Sequence, residues 1–176
     1  EIIRGVEDVA RQNDISVILC NTDDNPKTEK AYIDKLRTRW ADGFIVSSMR
    51  ANADHIYALR DAGVPLTLTT RFYDDTIDAV GVNNHKAARD AVNFLIKTGH
   101  RNIGIALGDC ELNIYRDRFE GYKQALAEAG LPADERFILR GVGDDQSFYY
   151  LTQNMLAQGH IPDAIFATTD MKALFV

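Results

Sequence analysis

Short apolar runs of three to five residues alternate along the chain with longer stretches in which apolar residues recur at every third or fourth position. Continuous apolar runs are typical of parallel strands that are covered on both faces, whereas a one-sided apolar stripe is typical of a helix. The runs predict buried strands at residues 16–20, 43–47, 66–69, 79–82, 103–107, 137–139 and 164–167.

Glycine separates several helical stripes from the apolar run that follows. Gly63, Gly99, Gly130 and Gly159 all stand at such a boundary. Glycine is favoured just beyond a helix because it adopts the left-handed backbone conformation without a Cβ clash. The regular alternation of strand and helix predicts an α/β fold of parallel sheets flanked by helices.

One connection breaks this alternation. The run at 66–69 is followed by the run at 79–82, and no helical stripe lies between them. A polar segment then leads into a helical stripe over 86–97. A strand without a crossover helix is where a chain can leave one sheet for another. We therefore predict two lobes, at residues 1–82 and 83–176.

Composition restricts the function further. The net charge is −6 and the pI is near 5.2, which argues against nucleic-acid binding by these residues alone, because phosphate neutralisation needs a basic face. The two cysteines, Cys20 and Cys110, are too few for a disulfide framework and favour a reduced, cytoplasmic setting. No apolar run approaches the roughly 18 residues of a membrane-spanning helix, so no membrane partner is expected.

The clearest candidate chemistry follows the apolar run at 103–107. A loop there leads to Arg116 and Arg118, which we expect in the first turn of a helix. Ligands of open α/β sheets lie at the carboxyl ends of the strands, and a guanidinium there is suited to hydroxyl, carboxylate or phosphate groups. A cation is unfavourable near a helix start unless it serves a ligand, so Arg118 is the stronger of the two candidates.

The sequence contains no catalytic or cofactor-binding motif. It has no G-x-G-x-x-G, Walker A or G-x-S-x-G pattern, and its four histidines are scattered without metal-ligand spacing. No nucleophile or base is visible beside the arginines. We therefore expect no cofactor, no metal and no enzymatic reaction, and a binding function instead.

Several motifs together resemble the LacI/GalR family of bacterial transcription regulators. Their order and spacing match that family over essentially the whole chain. They are Gly5-Val6-Glu7, Val17-Ile18-Leu19, Asp42-Gly43-Phe44-Ile45-Val46, Val80-Gly81-Val82-Asn83-Asn84, Thr98-Gly99-His100-Arg101-Asn102-Ile103-Gly104, Arg118-Phe119-Glu120-Gly121-Tyr122 and Asp163-Ala164-Ile165-Phe166-Ala167-Thr168-Thr169-Asp170.

The resemblance implies a two-lobed, periplasmic-binding-protein-like (type I) core that forms homodimers. It also implies a small sugar or purine effector between the lobes, and operator DNA bound by a helix-turn-helix domain that precedes the core. Both chain ends fall within predicted elements, so we expect an internal piece of a longer protein that lacks the first core strand. The residues that the resemblance assigns to the effector are Arg118, Asp170, Ser47, Arg71, Phe72, Asp145 and Asn83.

Several of the aromatic and acidic candidates also have a purely structural interpretation. Asp170 can cap the last helix, and Asp145 can be a solvated turn residue. Phe72 can stack on a sugar ring or pack locally, and Trp40 is more consistent with the core. Thr70 and Asn83 stand where the family usually has an acidic residue, which weakens the inference of a sugar effector. A periplasmic sugar-binding protein of a transport system is the rival function.

Overall fold

The computed structural model describes residues 1–38, 40–48, 54–71, 75–141 and 145–176. The chain divides into two compact units, Glu1–Asp42 and Gly43–Val176. The first unit contains helix α1 (Ile2–Gln12) and helix α2 (Pro26–Leu36). The side chain of Asn25 accepts hydrogen bonds from the backbone N–H groups of Lys27 and Thr28, so it caps the first turn of α2.

The strand predicted at residues 16–20 is wrong. These residues adopt no regular structure, and Ile18 and Leu19 are more than half exposed. A strand forms only where a neighbouring strand completes its backbone hydrogen bonds, and the described residues of the first unit contain no other strand. The apolar run alone therefore does not produce a strand here.

The second unit begins with a three-stranded parallel sheet, called sheet A. Its strands are β1 (Phe44–Val46), β2 (Leu66–Thr69) and β3 (Ala79–Val80), in the order β1-β2-β3. Helix α3 (Asp54–Asp61) packs on it through Ile56. No helix lies between β2 and β3 in the described residues, which agrees with the predicted break in the alternation.

The rest of the second unit is built around sheet B. Its strands are β4 (Ile103–Leu107), β5 (Ile138–Arg140) and β6 (Ala164–Ala167), parallel and in the order β5-β4-β6. The helices of this part of the chain are α4 (Asn84–Lys97), α5 (Asn113–Glu128), α6 (Ser147–Ala157) and α7 (Asp170–Phe175). The predicted α/β fold with parallel sheets flanked by helices is confirmed.

The central strand β4 is buried along its whole length because its two faces serve two cores. Ile103, Ile105 and Leu107 face a cluster with residues of α4 and α5, and Ala106 faces a cluster with Phe148 of α6. This arrangement explains why the strand is a continuous apolar run rather than an alternating one.

The lobe boundary inferred between residues 82 and 83 stays a prediction.

Gly99 ends α4 as its position predicts. Its φ is +108°, and the backbone N–H of His100 donates to the Leu95 carbonyl at 3.1 Å.

The predicted core position of Trp40 is wrong, since its side chain is 70% exposed. Among the helices that the structure describes, none is long and apolar enough to cross a membrane.

Candidate functional site

Arg118 lies in the second turn of α5, not in the first turn as the sequence suggested. The helix begins at Asn113, because a turn that precedes it brings the Leu112 N–H to the Asp109 carbonyl at 3.1 Å. The argument from an unfavourable helix start therefore does not apply to Arg118. Arg116 is exposed on the same helix.

A network of three residues fixes the partly buried Arg118 side chain. Its Nε donates to Oδ1 of Asn84 at 2.9 Å, and its Nη1 donates to the Thr168 carbonyl oxygen. Asn84 is 3% exposed and Thr168 is 4% exposed. Arg118 thus connects the start of α4, the middle of α5 and the carboxyl end of β6, which is the edge where α/β proteins bind ligands.

Gly121 allows α5 to approach the start of α4 closely enough for this network. A Cβ atom at Gly121 would lie 2.2 Å from the His85 carbonyl oxygen, so no other residue fits without a backbone shift. The adjacent Tyr122 is fully buried and donates from its hydroxyl to the Ile103 carbonyl at 2.8 Å. Burial raises the pKa of Tyr122 to about 12, so the hydroxyl stays a donor at neutral pH. The Arg-x-x-Gly-Tyr motif therefore joins a candidate ligand residue to the packing that positions it.

The Gly-His-Arg-Asn motif lies at the opposite, amino-terminal edge of sheet B. There the Asp163 carboxylate accepts from the backbone N–H groups of Arg101 at 2.9 Å and Asn102 at 3.1 Å. Burial raises the pKa of Asp163, but these two N–H groups and the nearby His100 outweigh it and hold the pKa below its usual value. This motif ties the start of β4 to the start of β6 and is structural.

The carboxyl edge of sheet A carries a hydroxyl pair. Ser47 Oγ lies 2.6 Å from Thr70 Oγ1, and Thr70 Oγ1 donates to the Thr69 carbonyl at 2.8 Å. Since the Thr70 proton is committed to Thr69, Ser47 must donate to Thr70 and keeps acceptor capacity for another group. Thr70 has φ +66°, a strained conformation for a β-branched residue, of the kind that clusters at functional sites.

Arg71 follows directly, and its backbone N–H donates to the Thr69 carbonyl at 2.9 Å. Its side chain is half-buried and makes contacts of its own. Phe72, which the sequence also nominated, lies outside the described residues.

Two of the nominated residues, Asn83 and Asp170, stand at helix starts beside sheet B. Asn83 caps α4, its side chain accepting from the Lys86 N–H at 2.9 Å. Asp170 does not cap α7, so that prediction is wrong. Thr169 is the cap, since its hydroxyl accepts from the Lys172 N–H at 3.2 Å, and Asp170 is the exposed first residue of the helix. Because the Thr169 hydroxyl accepts from the Lys172 N–H, the Asp170 carboxylate is not needed as a cap and is exposed.

Asp145 is held by a lysine that the sequence did not point to. The Lys172 Nζ lies 2.8 Å from Asp145 Oδ1. Lys172 is 6% exposed, and its ammonium lies 5.0 Å from the ring centre of Tyr115 and 5.3 Å from that of Phe148. These contacts tie together the segments that follow β4, β5 and β6. Asp145 does lie in a turn, but it is partly buried and ion-paired rather than solvated.

Sequence reasoning missed Asn84, Thr168 and Lys172. Asn84 and Thr168 carry a weak signal, since each is a polar residue within two positions of the end of an apolar run and of a nominated residue. Lys172 carries none, because lysine is rarely buried and its partners come from distant segments. No hydrogen bond directly joins any two of the six nominated residues that the structure describes.

Comparison with known proteins identifies the family of the chain. Residues 1–175 match the family described as "Periplasmic binding proteins and sugar binding domain of LacI family". The chain belongs to this family. The resemblance to the LacI/GalR family that the sequence motifs indicate is thereby confirmed.

Its relatives are transcription regulators by name. It is 34% identical over 175 residues to "Probable HTH-type transcriptional regulator EndR" of Paenibacillus polymyxa, covering 97% of this chain and 51% of that protein. It is 33% identical over 178 residues to catabolite control protein A of Priestia megaterium, covering 100% and 54%. The chain therefore spans about half the length of the curated relatives that it matches.

Solved structures agree with the fold. A transcription regulator from Lactobacillus plantarum superposes with a TM-score of 0.86 at 25% identity, covering 98% of this chain and 64% of that one. The transcription regulator CcpA of Lactococcus lactis gives the same TM-score and coverage at 24% identity.

Proposed function

We propose that this chain is the effector-sensing core of a LacI-type DNA-binding transcription regulator, most simply a repressor. The proposal rests on two facts: the chain belongs to this family, and the Arg118 side chain is held in place with one nitrogen left available. Its guanidinium is fixed at the carboxyl edge of sheet B by an amide and a carbonyl oxygen, and its Nη2 has no hydrogen-bond partner in the described chain. Such a donor suits an oxygen atom of a small effector.

The other nominated residues supply complementary groups in this proposal. Asp170 offers an exposed carboxylate, and Asp145 keeps the oxygen that Lys172 does not use. Ser47 offers an acceptor, and Arg71 a guanidinium, from the edge of sheet A. Asn83 and Phe72 complete the set, Phe72 by stacking on an apolar ring face. The effector would lie between the two predicted lobes and belong to the sugar or purine class.

The response to the effector would be a population shift. An effector that binds one lobe arrangement more tightly than the other increases the population of that arrangement. The ratio of its two affinities sets the largest shift that it can cause. In the whole protein this shift would change the affinity of a homodimer for operator DNA, which a helix-turn-helix domain outside these residues would bind. The regulator would act in the bacterial cytoplasm. The names of the relatives favour this function over transport, and catalysis has no part in it.

Effector binding tests the proposal directly. The full-length protein is titrated by calorimetry with D-glucose, D-ribose, cellobiose, D-glucose 6-phosphate, D-gluconate and hypoxanthine. We expect at least one compound to bind, and Arg118→Lys to weaken it by about tenfold or more, because the lysine keeps the charge but loses the planar fork. Arg116→Lys is the matched control on the same helix and should change the affinity less than twofold.

Two results would contradict the assignment. One is equal affinity for the Arg118 variant and the wild type. The other is equal weakening by the Arg116 and Arg118 variants, which would indicate a general effect of altering α5.

A further inference from the structure

The charge of Arg118 is not balanced by any described residue. No carboxylate in residues 1–38, 40–48, 54–71, 75–141 or 145–176 pairs with its guanidinium, whose protein partners are the neutral Asn84 amide and the Thr168 carbonyl. A partly buried cation without a counter-ion is unfavourable, so an anion that reaches it is attracted strongly. The Nη2 nitrogen has two N–H bonds and no acceptor among the described residues, so it is the group offered to that anion.

Asn84 is held in one orientation by its own partners. Its Oδ1 accepts from Arg118 Nε at 2.9 Å, and its Nδ2 donates to the Val82 carbonyl at 3.0 Å. A flipped amide would place a donor against a donor and an acceptor against an acceptor, so the orientation is unambiguous. Asn84 is therefore a rigid and neutral acceptor for the guanidinium, and it fixes the direction in which Nη2 faces.

Two nominated carboxylates in the segments that follow β5 and β6 do not act as the counter-ion of Arg118. Asp145 is already paired with the buried Lys172 at 2.8 Å. Asp170 is exposed at the start of α7, where water solvates it, and it makes no ion pair in the part of the chain that is described. A carboxylate at position 84 would lie beside the guanidinium and could neutralise it, at the expense of the hydrogen bond that Asn84 donates to the Val82 carbonyl.

We propose that Asn84 is the positioning residue for Arg118, and that its neutrality reserves the guanidinium for an anionic group of the effector. The group is a phosphate or a carboxylate, since both accept charge-assisted hydrogen bonds from Arg. This inference rests on the proposed function, because it takes Arg118 as an effector residue. It goes further by naming the charge class of the effector and the residue that selects it.

Three compounds of the same hexose skeleton test the charge class. The full-length protein is titrated by calorimetry with D-glucose, D-glucose 6-phosphate and D-gluconate. We expect at least one anion to bind tenfold or more tightly than glucose, and the comparison of the two anions distinguishes a phosphate from a carboxylate. Asn84→Asp should remove about tenfold or more of the preference for the anion, because the new carboxylate satisfies Arg118.

Asn93→Asp is the matched control, since it makes the same change of charge on the same helix, nine residues further along α4. It should reduce the preference for the anion less than twofold. The inference is overturned if glucose binds as tightly as both anions, if none of the three compounds binds, or if the two Asp variants reduce the preference equally. Failure of the proposed function would look different: no compound of the wider set, including cellobiose and hypoxanthine, would bind the wild-type protein.

The positioning role has a readout that needs no effector. In a ¹⁵N spectrum of the arginine side chains, the Nε–H signal of Arg118, assigned with Arg118→Lys, should be protected from exchange with water in the wild type. Asn84→Ala should abolish this protection, and Tyr122→Phe, which removes another buried hydrogen bond of α5, should preserve it. Unchanged protection in Asn84→Ala would overturn the positioning role.

Discussion

Lys172 is buried against Asp145, with 2.8 Å between its Nζ and the Asp145 Oδ1. The lysine is on the first turn of α7 and the aspartate precedes α6, so the pair connects the segments that follow β5 and β6, the two strands on either side of β4. The aromatic rings of Tyr115 and Phe148 cover the ammonium and separate it from water. Removing one member would leave the other charge without its partner.

Lys172→Met should therefore destabilise the protein, although methionine fills a similar volume. We expect a loss of about 1–3 kcal/mol in the free energy of unfolding, below the range for fully buried pairs because the Asp145 side chain is 31% exposed. Urea denaturation at neutral pH measures it. In the double variant Lys172→Met/Asp145→Asn much of the loss should be recovered, and a double variant at least as unstable as Lys172→Met would refute the ion-pair interpretation.

Gly121→Ala should be strongly destabilising, because the added Cβ would lie 2.2 Å from the His85 carbonyl oxygen and force α5 away from α4. We expect a loss of about 2–3 kcal/mol, and weaker effector binding because Arg118 moves with the helix. Gly5→Ala in α1 is the matched control. Nothing lies within 4 Å of its Cβ position, so the substitution should raise stability slightly. Equal effects of the two substitutions in thermal unfolding would contradict the close-contact explanation.

Asp163 should make the protein sensitive to acid. Its pKa is lower in the folded state than its ordinary value of 3.8, so its contribution to stability is fully present above that value and is lost as the pH falls through the folded-state pKa. Asp163→Asn should lower the melting temperature at pH 7 and reduce the further drop between pH 5 and pH 3. A variant whose melting temperature falls with acid as steeply as that of the wild type would show that this carboxylate is not responsible.

The strands of the second unit could be predicted because their signal is local. The runs at Ile103–Leu107 and Ala164–Ala167 are apolar and bounded by polar or glycine residues, and Leu66–Thr69 lies between Pro65 and Thr70. The structure has all three strands with the predicted bounds. The run at 16–20 carries the same local signal and forms no strand. Strand formation needs a partner strand, and a local pattern does not report whether one is present.

The candidate site was predictable only in part, for a similar reason. Arg118 follows a buried strand, which indicates a ligand edge from sequence spacing alone. Its partner Asn84 is 34 residues away in the chain, and only the packing of α5 on α4 brings the two together. Lys172 is less predictable still, because lysine is normally exposed and the contacts that bury it here come from two other segments of the chain, those that follow β4 and β5.

The response of operator binding to effector tests the central claim most directly. Fluorescence anisotropy would measure the affinity of the full-length regulator for its operator, with and without the compound that binds best by calorimetry. We predict that this compound changes the operator affinity of the wild type and of Arg116→Lys by at least about fivefold, a coupling of about 1 kcal/mol. Arg118→Lys should bind the operator normally and lose the response at the same compound concentration. An undiminished response in Arg118→Lys would contradict the account.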